Sequence, residues 1–195
     1  MSAPRYPTAH ASLRAALAAL LLAVALAPSA VGVAASAAWN SQPAALEALP
    51  VERQTHPLSC GPATLATLST WLGTARTEAE LLAAAEVGPE GITLSEFARL
   101  AHRIGLVGSW YQVAHTDLHH VPTPFAAHLQ SGGHLQGNGH TPELGHLVAI
   151  AGVAHGYVAV ADPATGAHVL PLNAFAQRFS GRVYVLDERA REAQQ

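Results

Sequence analysis

The spacing of apolar residues changes near residue 108, and this change constrains the fold more than any other feature. Before it, apolar residues recur at helical spacing and predict helices over Cys60–Leu72, 78–86 and 94–104. After it, the apolar runs have strand length: Gly108–Val113, Thr123–Leu129, His146–Val153, Tyr157–Ala161, His168–Leu170 and Arg182–Leu186. Helices followed by antiparallel strands predict an α+β fold, with an N-terminal helical half packed on a C-terminal antiparallel β-sheet.

Cap and turn residues limit these elements. Thr77 and Thr93 each precede a glutamate by three residues, which is the capping-box pattern at a helix start. A short helix is predicted over Leu172–Phe179, and turn residues predict an antiparallel meander over 146–170. Ser131–Gly145 carries glycine, histidine and proline without periodicity, so we expect a surface loop there.

The first 37 residues are typical of a targeting segment. Arg5 and Arg14 give the segment a positively charged start. Ala15–Ala27 is then an uncharged apolar run, which Pro28 ends. A helix of this length spans roughly 20 Å, short of a ~30 Å hydrocarbon core. Small residues then lead to Ala35-Ser36-Ala37, an A-x-A cleavage pattern. We therefore predict export, to the periplasm or the exterior, with cleavage after Ala37; a retained N-terminal membrane anchor is the alternative.

This segment sets the predicted domain organisation. We expect a signal peptide or anchor over 1–37, a lead-in over 38–49, one folded domain over 50–188 and a tail over 189–195. The formal net charge is −3, and all ten basic residues are arginines, two of which lie in the targeting segment. Because the remainder is more acidic still, it offers no basic surface for nucleic acid.

The twelve histidines raise the question of a metal site. His115 and His119 have the spacing of a zinc-binding helix, and His128, His134 and His140 could complete such a site. However, no H-E-x-x-H motif occurs, and two prolines follow the pair. No metal or cofactor is therefore predicted, and a metal-binding module is kept only as a minor alternative.

The chain has a single cysteine, Cys60, so no disulfide can form within it. It lies at the predicted start of a helix, where unpaired amides and the helix dipole favour a thiolate. A nucleophilic cysteine needs such a position. A small buried apolar residue is the competing interpretation, and position alone leaves both open.

Three further residues fit an acyl-transfer site. Gln54 lies six residues before Cys60, where its amide could stand beside the helix start as an oxyanion-hole donor. His146 begins one predicted strand and Asp162 ends the next, so a hairpin brings them to the same end. Asp162 could then accept from the His146 ring and fix its tautomer.

Five pieces of the chain, spanning about 50 to 186, occur in the order of a known family: Gln54 with Ser59–Ala66, Gly91–Leu106, Pro124–Leu129, His146–Gly166 and Phe175–Gly181. Together they resemble the bacteriocin-processing (double-glycine leader) cysteine peptidase family. The resemblance implies a papain-like fold with Cys60 as nucleophile, His146 as base, Asp162 as orienting residue and Gln54 as oxyanion-hole donor. A peptide or protein substrate is expected as partner, with membrane association either through the N-terminal segment or through a separate export transporter.

The predicted function is therefore that of an exported cysteine peptidase, which hydrolyses peptide bonds in leader or secreted peptides without a cofactor. A catalytically silent peptide-binding domain on the same fold is the first alternative. An amidase or acyltransferase is the second, because hydrolysis and transfer pass through the same thioester.

Overall fold

The computed structural model describes residues 49–130 and 145–187. The predicted signal segment, the lead-in up to residue 48 and residues 131–144 of the predicted loop lie outside the described residues. The described helices are α1 (Cys60–Trp71), α2 (Glu78–Ala83), α3 (Leu94–Arg103), a 3₁₀ helix (His115–His120) and α4 (Leu172–Ala176). None of them is long and apolar enough to cross a membrane.

Six antiparallel strands form one sheet in the order β1-β6-β2-β3-β4-β5. Their bounds are β1 (Gly108–Gln112), β2 (Phe125–Leu129), β3 (His146–Ala154), β4 (Tyr157–Asp162), β5 (Gly166–Pro171) and β6 (Phe179–Leu186). β3, β4 and β5 are neighbours in sequence and in space, which confirms the predicted meander. The α+β prediction is confirmed as well.

Both faces of the sheet are buried. α1 and α3 cover one face, where Leu65 and Phe97 are fully buried together with Ala126 and Leu147 of the sheet. The 3₁₀ helix and α4 cover the other face, over a cluster that includes Phe125 and Val148. Alternate strand residues face opposite sides, so this burial fixes which side chains point toward α1.

α1 is buried almost all round, from Gly61 to Ser69. An amphipathic stripe would be expected of a surface helix, whereas a helix that is apolar on all sides lies inside a protein. One polar link fixes its position along the sheet: Thr64 Oγ1 donates to the carbonyl of Leu147 on β3, at 2.9 Å. The helix that begins at Cys60 is therefore tied to the strand that begins at His146.

Several predicted boundaries need correction. α2 ends at Ala83 rather than 86, because the Glu86 amide bonds to the Glu96 carboxylate instead of continuing the helix. α4 ends at Ala176, since Phe179 already belongs to β6. The strand predicted over His168–Leu170 runs from Gly166 to Pro171, and the strand predicted from Arg182 begins at Phe179.

Only one of the two predicted capping boxes is complete. Thr77 accepts from the Glu80 amide, and Glu80 accepts in return from the Thr77 amide. Thr93 accepts from the Glu96 amide. The Glu96 carboxylate, however, pairs with Arg99 and with the amide of Glu86, so the reciprocal half is missing.

The Thr64 contact leads to a stability prediction. Thr64→Val removes the hydroxyl that donates to Leu147 but keeps the shape of the side chain. We expect the free energy of unfolding in urea to fall by about 1–2 kcal/mol, because a buried hydrogen bond is lost. Thr70→Val, on the exposed side of the same helix, is the control and should change it by less than about 0.5 kcal/mol. Equal values for the two variants would contradict the link.

Candidate active site

Cys60 is the first residue of α1 and is partly exposed. Within the described residues its backbone amide has no hydrogen-bond acceptor, and the first bond of the helix runs from Ala63 to Ser59. Pro62 lacks an amide hydrogen and fits this first turn without loss. The thiol therefore lies at a helix start whose free amides and dipole carry partial positive charge.

The loop before Cys60 is held by a buried carboxylate. Glu78, 2 % exposed, accepts from the Thr55 amide at 3.1 Å and from the Thr55 hydroxyl at 2.9 Å. Burial by itself raises the pKa of Glu78, but hydrogen bonds from Ser59 and Thr55 outweigh burial and leave the pKa below its ordinary value. This anchor was not predicted, because the pattern around Glu78 shows only a helix start.

His146 and Asp162 meet at one end of the β3–β4 hairpin. The two-residue turn consists of His155 and Gly156, both with positive φ, a conformation that matches the twist of paired strands. His146 Nε2 and Asp162 Oδ1 are 2.8 Å apart. Asp162 also accepts from the Ala164 amide at 2.8 Å. The juxtaposition expected from strand order is thus present, and the other ring nitrogen of His146, Nδ1, remains for Cys60.

The charged forms of His146 and Asp162 stabilise each other. Burial lowers the pKa of His146, but hydrogen bonds to Asp162 and Cys60 and the negative charges of both outweigh it and raise the pKa to about 9. Burial raises the pKa of Asp162, but the bond to His146 and its positive charge lower it to about 2. Near neutral pH the arrangement therefore favours the charged imidazolium form of His146 beside the ionised carboxylate of Asp162.

Gln54 lies beside the helix start, but its amide points into its own loop. Its Nε2 donates to the carbonyls of His56 at 3.0 Å and Pro57 at 3.3 Å. Its Oε1 is buried without a partner in the described part of the chain. If the Gln54 amide were flipped, its oxygen would face the carbonyl oxygens of His56 and Pro57, and none of the three could donate a hydrogen. The orientation with Nε2 toward these carbonyls is therefore the better one. The donor role of Gln54 stays a prediction, and it requires one N–H to leave a loop carbonyl.

The segment before Cys60 is also joined to the turn after Asp162. The Gln54 amide donates to the carbonyl of Pro163 at 3.0 Å. The Arg53 guanidinium donates to the carbonyl of Ala164. Two backbone carbonyls that follow Asp162 are thus held by the residues that lead to Cys60. No sequence motif predicts these two contacts, since the backbone carbonyl of any residue can accept a hydrogen bond.

A cleft opens on both sides of Cys60. One cavity of about 190 Å³ is lined by Ile92, Leu147 and His128 among others. A second of about 320 Å³ contains His146 and Asp162. Cys60, Glu90 and Gly145 line both. A substrate that crosses the cleft must therefore pass over the thiol.

The histidines considered as metal ligands do not converge in the described residues. His115 and His119 lie on a 3₁₀ helix, where three residues make a turn and positions four apart do not share a face. His128 is on β2, and His134 and His140 fall outside the described residues. Among residues 49–130 and 145–187, no group of three His, Cys, Asp or Glu side chains could hold a metal ion.

Residues 48–191 match the peptidase C39 family. No match was found among the curated proteins. The double-glycine-motif protease of an AMS/PCAT transporter, solved in complex with the leader peptide, is 22 % identical and superposes with a TM-score of 0.60 over 70 % of this chain and 89 % of its own. The peptidase domain of Streptococcus ComA, a bi-functional ABC transporter involved in quorum sensing, is 19 % identical, with a TM-score of 0.60 over 71 % and 97 %.

A third structure, a C39-like peptidase from Bacillus anthracis, is 15 % identical, with a TM-score of 0.52 over 73 % of this chain and 96 % of its own. At these identities the structural likeness establishes the fold, which is papain-like, as the resemblance implies. The family match establishes the class, since peptidase C39 enzymes are cysteine-type peptidases.

The His146–Asp162 contact leads to a prediction on proton affinity. Asp162→Asn keeps the shape of the side chain and removes its charge. We expect the pKa of His146 to fall from about 9 by about 1–3 units, because the charge that favours the imidazolium is lost. The wild-type His146 ring keeps its proton up to about pH 9, so the ring of the variant should lose its proton at a lower pH. NMR titration of the histidine Cε1–H signals measures this pKa, and Asp117→Asn, at an exposed site, is the control. An unchanged titration of His146 in Asp162→Asn would contradict the pairing.

Proposed function

Because the chain belongs to the peptidase C39 family, we propose that it hydrolyses peptide bonds with Cys60 as nucleophile, His146 as acid and base and Asp162 as the residue that orients His146. One observation carries this proposal. The His146 ring bonds to Asp162 at 2.8 Å, and Cys60 lies near enough to the same ring to help raise its pKa. A nucleophile, a base and an orienting group in series are what covalent acyl transfer requires.

In the first half of the reaction, the Cys60 thiolate attacks the carbonyl carbon of the scissile bond and forms the C–S bond. The carbonyl electron pair moves to oxygen, and the tetrahedral intermediate then collapses to a thioester. The C–N bond breaks as His146 Nδ1–H gives its proton to the leaving amine. Asp162 holds Nε2–H throughout, so only Nδ1 exchanges a proton with substrate.

In the second half, water replaces the amine. Neutral His146 takes a proton from the water through Nδ1 while the oxygen attacks the thioester carbon. Collapse of this intermediate releases the carboxylic acid and breaks the C–S bond. The thiolate and the imidazolium are restored together, so atoms and charge balance over the cycle without a cofactor.

The oxyanion needs donors at the helix start. The amide of Cys60 supports this role, because it has no other acceptor in the described chain and points along the helix dipole. We assign the second donor to Gln54. Its present bonds to the carbonyls of His56 and Pro57 make that donation depend on a turn of the amide when substrate arrives.

We further propose that the protein acts outside the cytosol on leader or secreted peptides. The apolar run Ala15–Ala27 and the A-x-A pattern before residue 38 support export. Two relatives belong to transporters, and one was solved with a leader peptide. These likenesses support a peptide substrate and association with a transporter.

Substitutions in the site should abolish hydrolysis. We expect Cys60→Ser and His146→Ala each to lower kcat/KM on a library of internally quenched peptides by at least about 10³-fold, because members of a catalytic group act as a unit. His168→Ala, a histidine of β5 outside the cleft-lining residues, is the control and should retain activity. Peptide cleavage that survives Cys60→Ser would contradict the mechanism.

The export proposal has its own test. After expression in an exporting bacterial host, the intact mass should correspond to a chain that begins at Ala38. Ala37→Arg places a large charged residue at the cleavage point and should block processing, because that position requires a small side chain. A wild-type protein that keeps residues 1–37 in the membrane fraction would instead establish the anchor.

A further inference from the structure

The most deeply buried carboxylate among residues 49–130 and 145–187 lies outside the proton-transfer group. Glu78 is the first residue of α2 and is 2 % exposed. Burying an ionised carboxylate is unfavourable unless hydrogen bonds compensate for the lost water. Burial raises the pKa of Glu78, but hydrogen bonds from the preceding loop outweigh it and hold the pKa below its ordinary value. The charged form of Glu78 therefore depends on that loop.

The hydrogen bonds of this carboxylate go to one residue of the loop between Gln54 and Cys60. Glu78 Oε1 accepts from the Thr55 amide at 3.1 Å, and Oε2 accepts from the Thr55 hydroxyl at 2.9 Å. No salt bridge within the described chain includes Glu78. The carboxylate therefore serves as an acceptor for the neutral donors of Thr55 and not as one half of an ion pair.

The anchor at Thr55 fixes the backbone on one side of Gln54. The Gln54 amide donates to the carbonyl of Pro163 at 3.0 Å, and the next amide along the chain, that of Thr55, donates to Glu78. Two successive amides are thus held, while the Gln54 side chain bonds to carbonyls of its own loop. That side chain can turn about its own bonds while the backbone beneath it stays in place.

The other end of the loop is closed by Ser59, which precedes Cys60 and is fully buried. Ser59 Oγ donates to the carbonyl of His56 at 2.8 Å and accepts from the amide of His56 at 3.2 Å. His56 directly follows Thr55, so the residue that Ser59 binds is the neighbour of the residue that Glu78 binds. The distance between the two proposed oxyanion donors therefore depends on the acceptor that Glu78 supplies.

We propose that Glu78 is a positioning residue for the oxyanion hole, whose carboxylate fixes the loop that sets the Gln54 side chain against the Cys60 amide. The proposal rests on the proposed peptidase function and adds a residue to it. Glu78 is not among the described residues that line the cleft, so it acts through Thr55. Donors placed in advance stabilise the oxyanion of the transition state more than the bound substrate, so a displaced loop lowers kcat more than it raises KM.

The first variant removes the acceptor. Glu78→Met keeps the length of the side chain and a high helix propensity, but it leaves the Thr55 amide and hydroxyl without their partner. On the quenched peptide that the wild type cleaves best, we expect kcat to fall by at least about tenfold. KM should change by less than about threefold.

A conservative variant and a matched control accompany it. Glu78→Gln keeps an oxygen that can accept from the Thr55 amide and should recover most of the kcat lost in Glu78→Met. Glu96→Met makes the same change at a carboxylate of α3 that is 7 % exposed and pairs with Arg99. This control should lower the midpoint of urea unfolding and leave kcat within about twofold of the wild type.

A second measurement separates positioning from a general structural loss. Chloroacetamide alkylates Cys60 by forming the C–S bond while chloride leaves, so this reaction needs the thiolate and produces no oxyanion. We expect Glu78→Met to be alkylated within about threefold of the wild-type rate at pH 7. A peptide aldehyde with the sequence of the best substrate adds the thiol across its C=O bond and places a tetrahedral oxygen in the hole. It should bind Glu78→Met at least about tenfold more weakly than the wild type.

Some outcomes would overturn the positioning role and leave the peptidase intact. These are a wild-type kcat in folded Glu78→Met, equal losses of hydrolysis and alkylation, and a Glu78→Gln variant as slow as Glu78→Met. Where circular dichroism shows that Glu78→Met is unfolded, Thr55→Val decides, because it removes only the hydroxyl that binds the carboxylate. We expect its kcat to be about three- to tenfold lower with alkylation unchanged, and a wild-type kcat would overturn the role.

Failure of the proposed function has a different signature. A wild-type protein that cleaves no peptide of the library, and whose Cys60 alkylation is the same in His146→Ala, would overturn the peptidase function and the positioning role with it.

Discussion

The hydrogen bond between His146 and Asp162 is the interaction on which the cleft depends. It joins the first residue of β3 to the last residue of β4, and the positive-φ turn of the hairpin brings both to one end. Because Nε2 is engaged by Asp162, Nδ1 is the ring nitrogen that is left to exchange a proton with Cys60. The same bond opposes the cost of burial and keeps the imidazolium charged up to pH about 9.

The position of the thiol relative to this pair follows from helix packing. α1 is buried on nearly all sides, and Thr64 ties it to β3 at Leu147, one residue beyond His146. Glu78 holds the loop that precedes Cys60, and the amide of Gln54 binds the carbonyl of Pro163 after Asp162. Contacts from the helical half and from the sheet thus set the distance between the Cys60 thiol and the His146 ring. A packing change far from the site is therefore expected to alter catalysis by altering that distance.

Features set by local geometry were predictable from the sequence, whereas features set by side-chain orientation were not. The proline just inside a helix start was sufficient to place Cys60 at that start, and the order of two strands was sufficient to place His146 beside Asp162. The amide of Gln54 was expected to face the oxyanion, but it bonds to its own loop, because nearby carbonyls compete for the same donors. His128 carries no sequence signal beyond its residue type, because the Ser180 hydroxyl that bonds to its ring lies 52 residues away in the chain.

The central claim is that His146 activates Cys60. The most direct test is the rate at which chloroacetamide, a small neutral reagent, alkylates Cys60 between pH 4 and 9 in the wild type and in His146→Ala. The account predicts rapid alkylation already at pH 5 in the wild type and loss of that rapid phase in the variant. Slow alkylation of both proteins that rises only toward pH ~8.5, where an ordinary thiol ionises, would contradict it.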